Sequence, residues 1–233
     1  MPSYATTDSP DIGHEVLASV FQVRADEAGA LGLHALLWRR ARRPESGKWA
    51  LPGGRLCADE DVANSISRQL AEKVDVRECQ HLEQLAVFSA PDRTGSTRLL
   101  ATAFLGLVPA DADPELPEDT AWQSVDRLPP TAFDHGEIVL HARDRLRAKL
   151  SYTNIGFAIA PAEFTVAGLR ELYSAALGYP ISATNLQRVL TRRGLLEPTG
   201  TTSPSGGRPA AQYRFTRRDM LVTDPSAVFK PPE

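Results

Sequence analysis

The segment 53-GGRLCADEDVANSISRQLAEKVDV-76 contains the features that decide the fold of the first half of the chain. Two glycines end the short strand-like run WALPGG at residues 49–54, and an acidic loop follows. Apolar residues then recur every four positions, which predicts the buried face of a helix over residues 61–74: Val62, Ile66, Leu70 and Val74. Because carboxylates and basic residues alternate about one helical turn apart, the segment has side chains suited either to a metal ion or to an anion.

The composition is that of a folded protein of one large domain or two small ones. The chain has 233 residues, 42% of them hydrophobic, which is enough to bury a core. No stretch approaches the roughly 18 apolar residues of a membrane span, and residues 1–16 lack the residue order of a signal peptide. Cys57 and Cys79 are too few for a disulfide framework, so we expect a reducing, cytoplasmic location and no membrane partner.

The charge is distributed unevenly along the chain. The net charge is −3, but residues 1–150 carry 17 Lys/Arg against 23 Asp/Glu, and residues 151–233 carry 9 against 6. Within residues 180–218 the count is 7 basic to 1 acidic, a local charge of +6. This asymmetry predicts two modules with different partners, divided into residues 1–150 and 151–233.

The first module has the pattern of a mixed α/β fold. Strand-like segments lie on both sides of the helix at 61–74, and an amphipathic helix closes the module: strands at 15–23, 33–40, 82–91 and 97–109, and the helix at 133–150. Residues 111–130 are acidic and rich in proline, so we expect them to be mostly loop. Residues 151–163 are expected to form a connection to the second module.

The second module has the pattern of a winged helix-turn-helix. Two short helices are predicted at residues 164–178 and 181–194, with N-caps at Thr165 and Ser182 and terminating glycines at Gly178 and Gly194. Two short strands follow, on either side of a tip rich in Gly, Pro and Ser at residues 201–210. Two helices followed by a β-hairpin are typical of this DNA-binding fold.

Residues 54–76 resemble the Nudix box, G-x5-E-x7-R-E-U-x-E-E-x-G-U, where U is aliphatic. Six of its positions fit: Gly54, Glu60, Arg68, Leu70, Glu72 and Val76. Three depart, because Gln69 and Lys73 replace glutamates and Asp75 replaces the glycine. The resemblance implies a Nudix fold, an α/β/α sandwich, for roughly residues 12–150.

The departures predict loss of hydrolysis. The family's glutamates at the places of Gln69, Glu72 and Lys73 lie on one helix face and converge on Mg²⁺, which prefers hard oxygen ligands. Here one position is a neutral amide and another a cation, so only one strong ligand remains. Because the attacking water and the phosphate charge then lack a metal, we expect no catalytic residues, no metal site and little or no turnover.

The same residues predict binding without cleavage. The Lys73 ammonium can offset the charge of a diphosphate, and Arg68 can hold Glu72 in place. The predicted ligand-binding residues are Trp49, Gly54, Arg55, Arg68, Glu72, Lys73 and Arg98. The alternatives are a solvated helix face with ordinary ion pairs, and for Trp49 a place in the core. The run from Arg39 to Arg43 is a further phosphate candidate or a solvated loop. The histidines, His135 among them, show no metal-ligand spacing.

The second predicted helix of the C-terminal module has a polar face suited to reading base edges. Leu186, Val189 and Leu190 form its apolar stripe. Side chains that can contact bases lie opposite, and one arginine lies at the hairpin tip, which gives the predicted DNA-binding residues: Thr184, Asn185, Arg188, Thr191, Arg192 and Arg208. Arg suits guanine and Asn suits adenine in the major groove, and the tip suits phosphate or minor-groove contact. The alternative is a module that only dimerises.

In this order the two modules resemble the Nudix-related transcriptional regulators of NAD metabolism, the NrtR family. The segments FTVAGLRELY, NLQRVLTRRGLLEPTG and GGRPAAQYRF are similar to that family's C-terminal domain. The resemblance implies a homodimer that binds duplex DNA at an inverted repeat and represses genes of NAD synthesis or salvage. It also implies ADP-ribose or a related NAD derivative as effector, with no cofactor required. The alternatives are an active ADP-ribose or nucleoside-diphosphate pyrophosphatase with an accessory domain, and a DNA-binding protein that ignores ligand.

Overall fold

The computed structural model describes residues 12–74, 79–95, 97–203 and 209–224. Its first part is a seven-stranded sheet with helices on both faces. The strands are β1 Gly13–Ala25, β2 Leu31–Arg39, β3 Trp49–Ala50, β4 Gly53–Arg55, β5 His81–Phe88, β6 Leu99–Leu107 and β7 Thr120–Ser124, and the helices are α1 Val62–Val74 and α2 His135–Tyr152.

Strand β1 organises the sheet because three other strands pair with it. It runs parallel to β6, with Gly13 opposite Leu99, and antiparallel to β2 and to the short β4. The main path is β3-β2-β1-β6-β5, with β4 added on β1 and β7 on β2. Thirteen residues of mostly apolar and β-branched character make β1 long enough to serve all of these neighbours.

Both faces of the sheet are buried. Alternate residues of β1 point to opposite sides and so contribute to two separate apolar clusters. Val16, Ala18 and Val20 share a cluster with the apolar stripe of α1, namely Ile66, Leu70 and Val74. Leu17 and Phe21 belong to the cluster on the other face, which contains the buried residues of α2. This arrangement is the α/β/α sandwich that the Nudix resemblance implied.

The expectation that residues 111–130 are mostly loop was wrong for one part. Thr120–Ser124 form β7, which pairs antiparallel with β2 so that Leu36 lies opposite Trp122. Prolines end before Thr120 and resume at Pro129, and this leaves one stretch free to pair. The partner strand lies about 85 residues earlier, so local sequence composition did not reveal the pairing.

The predicted winged helix-turn-helix elements are present. Helices α3 Val166–Leu177 and α4 Ala183–Arg192 lie between β8 Phe164–Thr165 and the hairpin of β9 Leu196–Ser203 and β10 Ala210–Phe215. The three strands form one sheet in the order β8-β10-β9. Thr165 accepts a hydrogen bond from the Gly168 amide and Ser182 one from the Asn185 amide. Gly178 and Gly194 have positive φ at the two helix ends, as predicted. Of the predicted tip, residues 204–208, which include Arg208, lie outside the described residues.

The segment predicted as a connection is buried. Helix α2 continues to Tyr152, a short 3-10 turn spans Ile155–Ala158, and one apolar cluster extends from the sheet through this turn into α3 and α4. Gly156 packs against Tyr173 so closely that a Cβ there would lie 2.1 Å from the phenol oxygen. The division at residue 150 falls in the last turn of α2 and stays a prediction.

A segment after β10 closes over the C-terminal end of α2. The Asn154 side chain donates to the carbonyl of Asp219 at 2.9 Å and accepts from the amide of Leu221. The amide of Thr223 donates to the carbonyl of Tyr152 at 2.9 Å. The end of the first part of the chain is thus held by residues that follow the last strand. Within the described ranges, no helix has both the length and the apolar character needed to cross a bilayer.

We expect Gly53→Ala to destabilise the fold by about 2–4 kcal/mol. Gly53 has φ +149°, and a Cβ there would lie 2.1 Å from the carbonyl oxygen of Val16 and 2.9 Å from the Cα of Leu17. Urea unfolding measures the effect. Gly168→Ala is the matched control, because that helical position has space and alanine should be neutral or stabilising by up to about 1 kcal/mol. Equal midpoints for the two variants would contradict the close approach of β4 to β1.

Candidate functional site

The acidic loop before α1 is fixed by one ion pair. Arg68 donates to Glu60 through both Nε, at 3.0 Å, and Nη2, at 2.7 Å. The same carboxylate accepts from Ser65 Oγ at 2.8 Å and from the Cys57 amide at 3.0 Å. The bonds from Arg68, followed by the one from the Cys57 amide, lower the pKa of Glu60 to about 2. Glu60 is therefore ionised and serves to hold the loop against the helix.

Arg68 also makes the contact to Glu72 that the sequence predicted. Its Nη1 lies 3.2 Å from a carboxylate oxygen of Glu72, one turn along α1. Arg68 makes two hydrogen bonds to Glu60, eight residues earlier, and one to Glu72. The bonds to Glu60 were not predicted from the sequence. Since the guanidinium already bridges two carboxylates, a direct contact with ligand stays a prediction.

The helix face expected to hold a metal has one exposed carboxylate and one buried amide. The Glu72 side chain is 59% exposed, whereas Gln69 is only 4% exposed and its Oε1 has no hydrogen-bond partner among the described residues. The Lys73 side chain, and residues Asp75 and Val76, lie outside the described residues. Within the described part of the chain, no group of three or more His, Cys, Asp and Glu side chains is placed to hold a metal ion. This donor set does not fit Mg²⁺, which needs several oxygen ligands.

A cavity of about 370 Å³ lies beside the glycine turn. Two predicted ligand residues, Gly54 and Arg55 of β4, line it. The rest of the lining comes from β1, β2, the loops around β3, β4 and the start of α2: Glu15, Leu17, Trp38, Arg40, Ala41, Arg42, Leu51, Gly53 and His135. Its inner wall is mainly apolar and three arginines contribute to its lining. Such a combination suits a ligand with an uncharged body and an anionic group.

The other predicted ligand residues do not line this cavity. Trp49 is half-buried and packs against the core, with the guanidinium of Arg39 over its ring at 5.3 Å, and its contact with ligand stays a prediction. Arg98 donates to the carbonyl of Ser89 at 2.7 Å, in the segment between β5 and β6. Arg68 and Glu72 lie on α1. A wider groove of about 510 Å³ lies away from the glycine turn, between the β1–β2 turn and α3.

A buried guanidinium positions one side of the cavity. The Arg93 side chain is 1% exposed and donates to Glu15 at 2.7 Å and to both oxygens of Asp134 at 2.8 Å. Burial opposes its charge, but the bonds to Asp134 and Glu15 outweigh burial and raise the pKa of Arg93. Strand β1 and the start of α2 are therefore held together by a charged, fully paired group.

His135, the first residue of α2, was not singled out by the sequence analysis. It is 3% exposed, and its Nδ1 accepts a hydrogen bond from the Leu51 amide at 2.9 Å. The carbonyl of Leu51 accepts one from Trp38 Nε1 at 3.0 Å. The signal that could have found His135 is a histidine at the start of an amphipathic helix, which composition and metal-ligand spacing both overlook.

The predicted DNA-reading residues lie on the outer side of α4. Thr184, Arg188, Thr191 and Arg192 are exposed, Asn185 is half-buried, and Leu186, Val189 and Leu190 are buried as expected. Arg188 Nη2 donates to Asn185 Oδ1 at 2.7 Å, so the guanidinium and the amide lie next to each other on this side of the helix. Arg192 lies 3.9 Å from Asp224 and keeps 60% of its side chain exposed.

Arg193 links α4 to α2, a contact that the sequence analysis missed. Its side chain is 4% exposed, and Nη2 donates to the Ser151 carbonyl at 3.2 Å and to Asp224 at 3.1 Å. Its neighbour Arg192 is exposed, so adjacent arginines take different roles. The orientation of the helix relative to α2 decides this, and sequence spacing alone does not.

Comparison with known proteins decides the family. Residues 14–142, more than half of the chain, match the family described as the NUDIX domain. The chain belongs to the Nudix family. Residues 156–215 match the NrtR DNA-binding winged helix domain. The fold is therefore a Nudix sandwich followed by a winged helix domain, as the sequence predicted.

Similar proteins share this order of domains. The ADPR-responsive transcriptional repressor NtrR of Acinetobacter baylyi is 27% identical over 226 residues, which cover 94% of this chain and 88% of the relative. The crystal structure of Shewanella oneidensis NrtR with a 27mer DNA is 27% identical, with a TM-score of 0.72, and the match covers 86% of this chain and 92% of that one. The Nudix domain of the same Shewanella protein, solved with ADP ribose, is 27% identical with a TM-score of 0.50, covering 62% and 94%.

The ion pair of the Nudix box has a defined pH dependence. Glu60 has a folded pKa of about 2, below its ordinary value of 4.5. Its contribution to stability is therefore present above about pH 4.5 and is lost as the pH falls through about 2. We expect the gap in unfolding free energy between the wild type and Glu60→Gln to shrink from pH 6 to pH 2, as measured by urea unfolding.

Glu118→Gln is the control. Glu118 is exposed and lies outside this loop, and the substitution removes the same charge. A gap between the wild type and Glu60→Gln that stays constant over this range would contradict a carboxylate held by Arg68.

Proposed function

We propose that this protein is a DNA-binding transcriptional repressor of NAD synthesis or salvage genes that senses ADP-ribose or a related NAD derivative. One observation carries the proposal: a Nudix sandwich with an arginine-lined cavity continues, through a shared core, into a winged helix with an exposed polar face. The similar Shewanella protein has been solved both with DNA and, as its Nudix domain, with ADP ribose. The proposed effector comes from this similarity, and the proposed target genes come from the resemblance to the NrtR family.

The DNA-binding part of the proposal depends on the exposed face of α4 and on local charge. Residues 180–218 carry 7 Lys/Arg against 1 Asp/Glu, which favours association with phosphates. Arg188 and Asn185 together present the fork and amide that read purines in the major groove. Thr184, Thr191 and Arg192 extend this surface, and Arg208 at the tip completes the proposed set.

The protein is proposed to bind as a symmetric dimer. A two-fold dimer places one α4 in each of two major grooves on an inverted repeat, with half-sites about one helical turn apart. The dimer contacts belong to the Nudix half, because α3 and α4 use their apolar residues within the shared core. The reducing cytoplasm, where both free cysteines are stable, is its proposed location.

The ligand-binding part of the proposal depends on the cavity beside Gly54. Arg55 is the predicted diphosphate contact that also lines the cavity, and Arg40 adds a second cation. The other predicted ligand contacts remain part of the proposal: Trp49, Arg68, Glu72, Lys73 and Arg98. To regulate, the effector must bind the DNA-bound and DNA-free shapes with different affinity, because equal affinity shifts no equilibrium.

The protein is also proposed to be catalytically inactive. Glu72 is an exposed carboxylate paired with Arg68, while the positions of Gln69 and Lys73 lack the negative charge that a metal requires. The competing function is an ADP-ribose or nucleoside-diphosphate pyrophosphatase with an accessory domain. The two functions differ in turnover and in the effect of ligand on DNA binding.

We expect the full chain to bind duplex DNA from the region upstream of NAD-biosynthesis genes, and ADP-ribose to change that affinity. Arg188→Ala and Arg192→Ala should each weaken binding by about 1–3 kcal/mol if the arginine reads a base, with relaxed preference at one base pair. Fluorescence anisotropy with labelled duplexes measures both effects. Arg143→Ala removes one charge from α2 and is the matched control.

Unchanged affinity in both α4 variants and in Arg208→Ala would show that the DNA-binding surface lies elsewhere. Unchanged DNA affinity at saturating ADP-ribose would leave a DNA-binding protein that ignores ligand.

We expect no hydrolysis of ADP-ribose or NAD at ordinary enzyme rates, about 1 per second or faster, with Mg²⁺ or Mn²⁺. Product release followed by chromatography tests this, and Glu72→Gln separates the protein's own activity from that of a contaminant. Turnover at such rates that Glu72→Gln abolishes would establish the pyrophosphatase instead. Activity that appears only when Gln69→Glu and Lys73→Glu are combined would show a cavity that is otherwise competent.

A further inference from the structure

The ring of His135 has a defined proton position. A neutral imidazole has one donor and one acceptor nitrogen. The Leu51 amide donates to Nδ1 at 2.9 Å, so Nδ1 is the acceptor and the proton lies on Nε2. The ring belongs to the lining of the 370 Å³ cavity beside the glycine turn.

This Nε2–H is a buried donor without a protein partner. His135 is 3% exposed, and Nε2 has no hydrogen-bond partner among the described residues. Buried donors in folded proteins are almost always paired, because an unpaired one loses its hydration without compensation. His135 is one of the residues that line the cavity, so a ligand bound there would lie beside this residue.

The chemistry of the ring decides what kind of acceptor it suits. Burial lowers the pKa of His135 to about 3, although the neighbouring Asp134 carboxylate favours the charged form. The ring is therefore neutral at physiological pH and offers directional hydrogen bonding without attraction for a negative charge. The anionic part of a ligand has better partners at the arginines of the same cavity, Arg40 and Arg55.

The remaining lining supports an uncharged group next to the ring. Leu17, Leu51 and the indole of Trp38 form apolar wall, and Trp38 uses its own N–H on the Leu51 carbonyl. The Glu15 carboxylate is paired with Arg93. Among the side chains described along this wall, His135 thus offers a free neutral donor.

We propose that His135 determines ligand specificity: its Nε2–H donates to an uncharged acceptor of a nucleotide, a base nitrogen or a sugar oxygen, whose phosphates lie at the arginines of the cavity. This inference depends on the proposed function, because it specifies how the same site recognises its effector. The two sources of the acceptor are separated by fragments. AMP carries the base, and ribose 5-phosphate carries a sugar with a phosphate but no base.

The test is calorimetric titration of the full chain with ADP-ribose, AMP and ribose 5-phosphate. His135→Asn is the informative variant, because its amide oxygen can still accept from the Leu51 amide while no donor reaches the place of Nε2. We expect ADP-ribose to bind roughly three- to tenfold more weakly to this variant, the effect of one lost hydrogen bond. A base acceptor should weaken the binding of AMP by the same factor and leave ribose 5-phosphate unchanged, whereas a sugar acceptor should weaken the binding of ribose 5-phosphate.

His34→Asn is the matched control: this half-buried histidine on β2 contacts the Gly32 carbonyl and lies outside the lining of the cavity. It should leave all three affinities unchanged. Equal ADP-ribose affinity in the wild type and His135→Asn would overturn the role of His135 and leave the proposed function intact. A wild type that binds none of the three ligands would overturn both.

Two measurements on the wild type keep the inference testable if His135→Asn fails to fold. With ¹⁵N-labelled histidine, saturating ADP-ribose should shift the Nε2–H signal of His135 and slow its exchange with water. An unmoved signal would contradict the proposal. Titration of His135 should not change the ADP-ribose affinity between about pH 5.5 and 8. A loss of affinity that follows deprotonation of His135 in that range would show that the ring is charged when it binds ligand, and would overturn the proposal.

Discussion

The site depends on the ion pairs that the buried guanidinium of Arg93 makes with two carboxylates. The guanidinium is paired with Glu15 of β1 and Asp134 at the start of α2, and loss of either partner would leave an uncompensated charge inside the protein. The ion pairs of Arg93 therefore require β1, the segment after β5 and the start of α2 to lie next to one another. His135 follows Asp134 directly, so the same clamp sets the wall of the cavity. Sixteen residues after His135, about 24 Å along the same helix, the carbonyl of Ser151 receives the contact from Arg193.

Two residues that fit the Nudix box, Glu60 and Arg68, have a structural role in this protein. In the described structure Glu60 and Arg68 act on each other, and they hold the loop to the helix through two parallel bonds. This bond does not need a metal, so it can persist when the metal-facing positions change. The buried Gln69 illustrates the other half: a neutral amide tolerates burial that a second carboxylate would resist. The presence of Glu60 and Arg68 can therefore be explained by their structural role alone.

Local sequence signals predicted the parts of the structure that local physics determines. The stripe of α1, the caps at Thr165 and Ser182 and the buried face of α4 all depend on residues within one or two helical turns. What escaped prediction depends on distant partners. Strand β7 exists because β2 accepts it, and the connection after α2 is buried because α3 packs on it. The site divides in the same way: Gly54 and Arg55 follow from the motif, whereas His135 needs the Leu51 amide, 84 residues away.

The segment that closes over Asn154 has a consequence for the order in which the protein matures on the ribosome. Residues 219–223 are synthesised after α2, α3, α4 and the hairpin, and they complete the hydrogen bonding at the end of α2. A nascent chain that has already formed its sheet still lacks these partners, so we expect the end of α2 to stay incompletely packed until residue 223 has been added. The cavity-bearing half is thereby ready to fold earlier than the half that carries the exposed arginines. Vectorial synthesis thus delays the appearance of the basic surface until the body that positions it is in place.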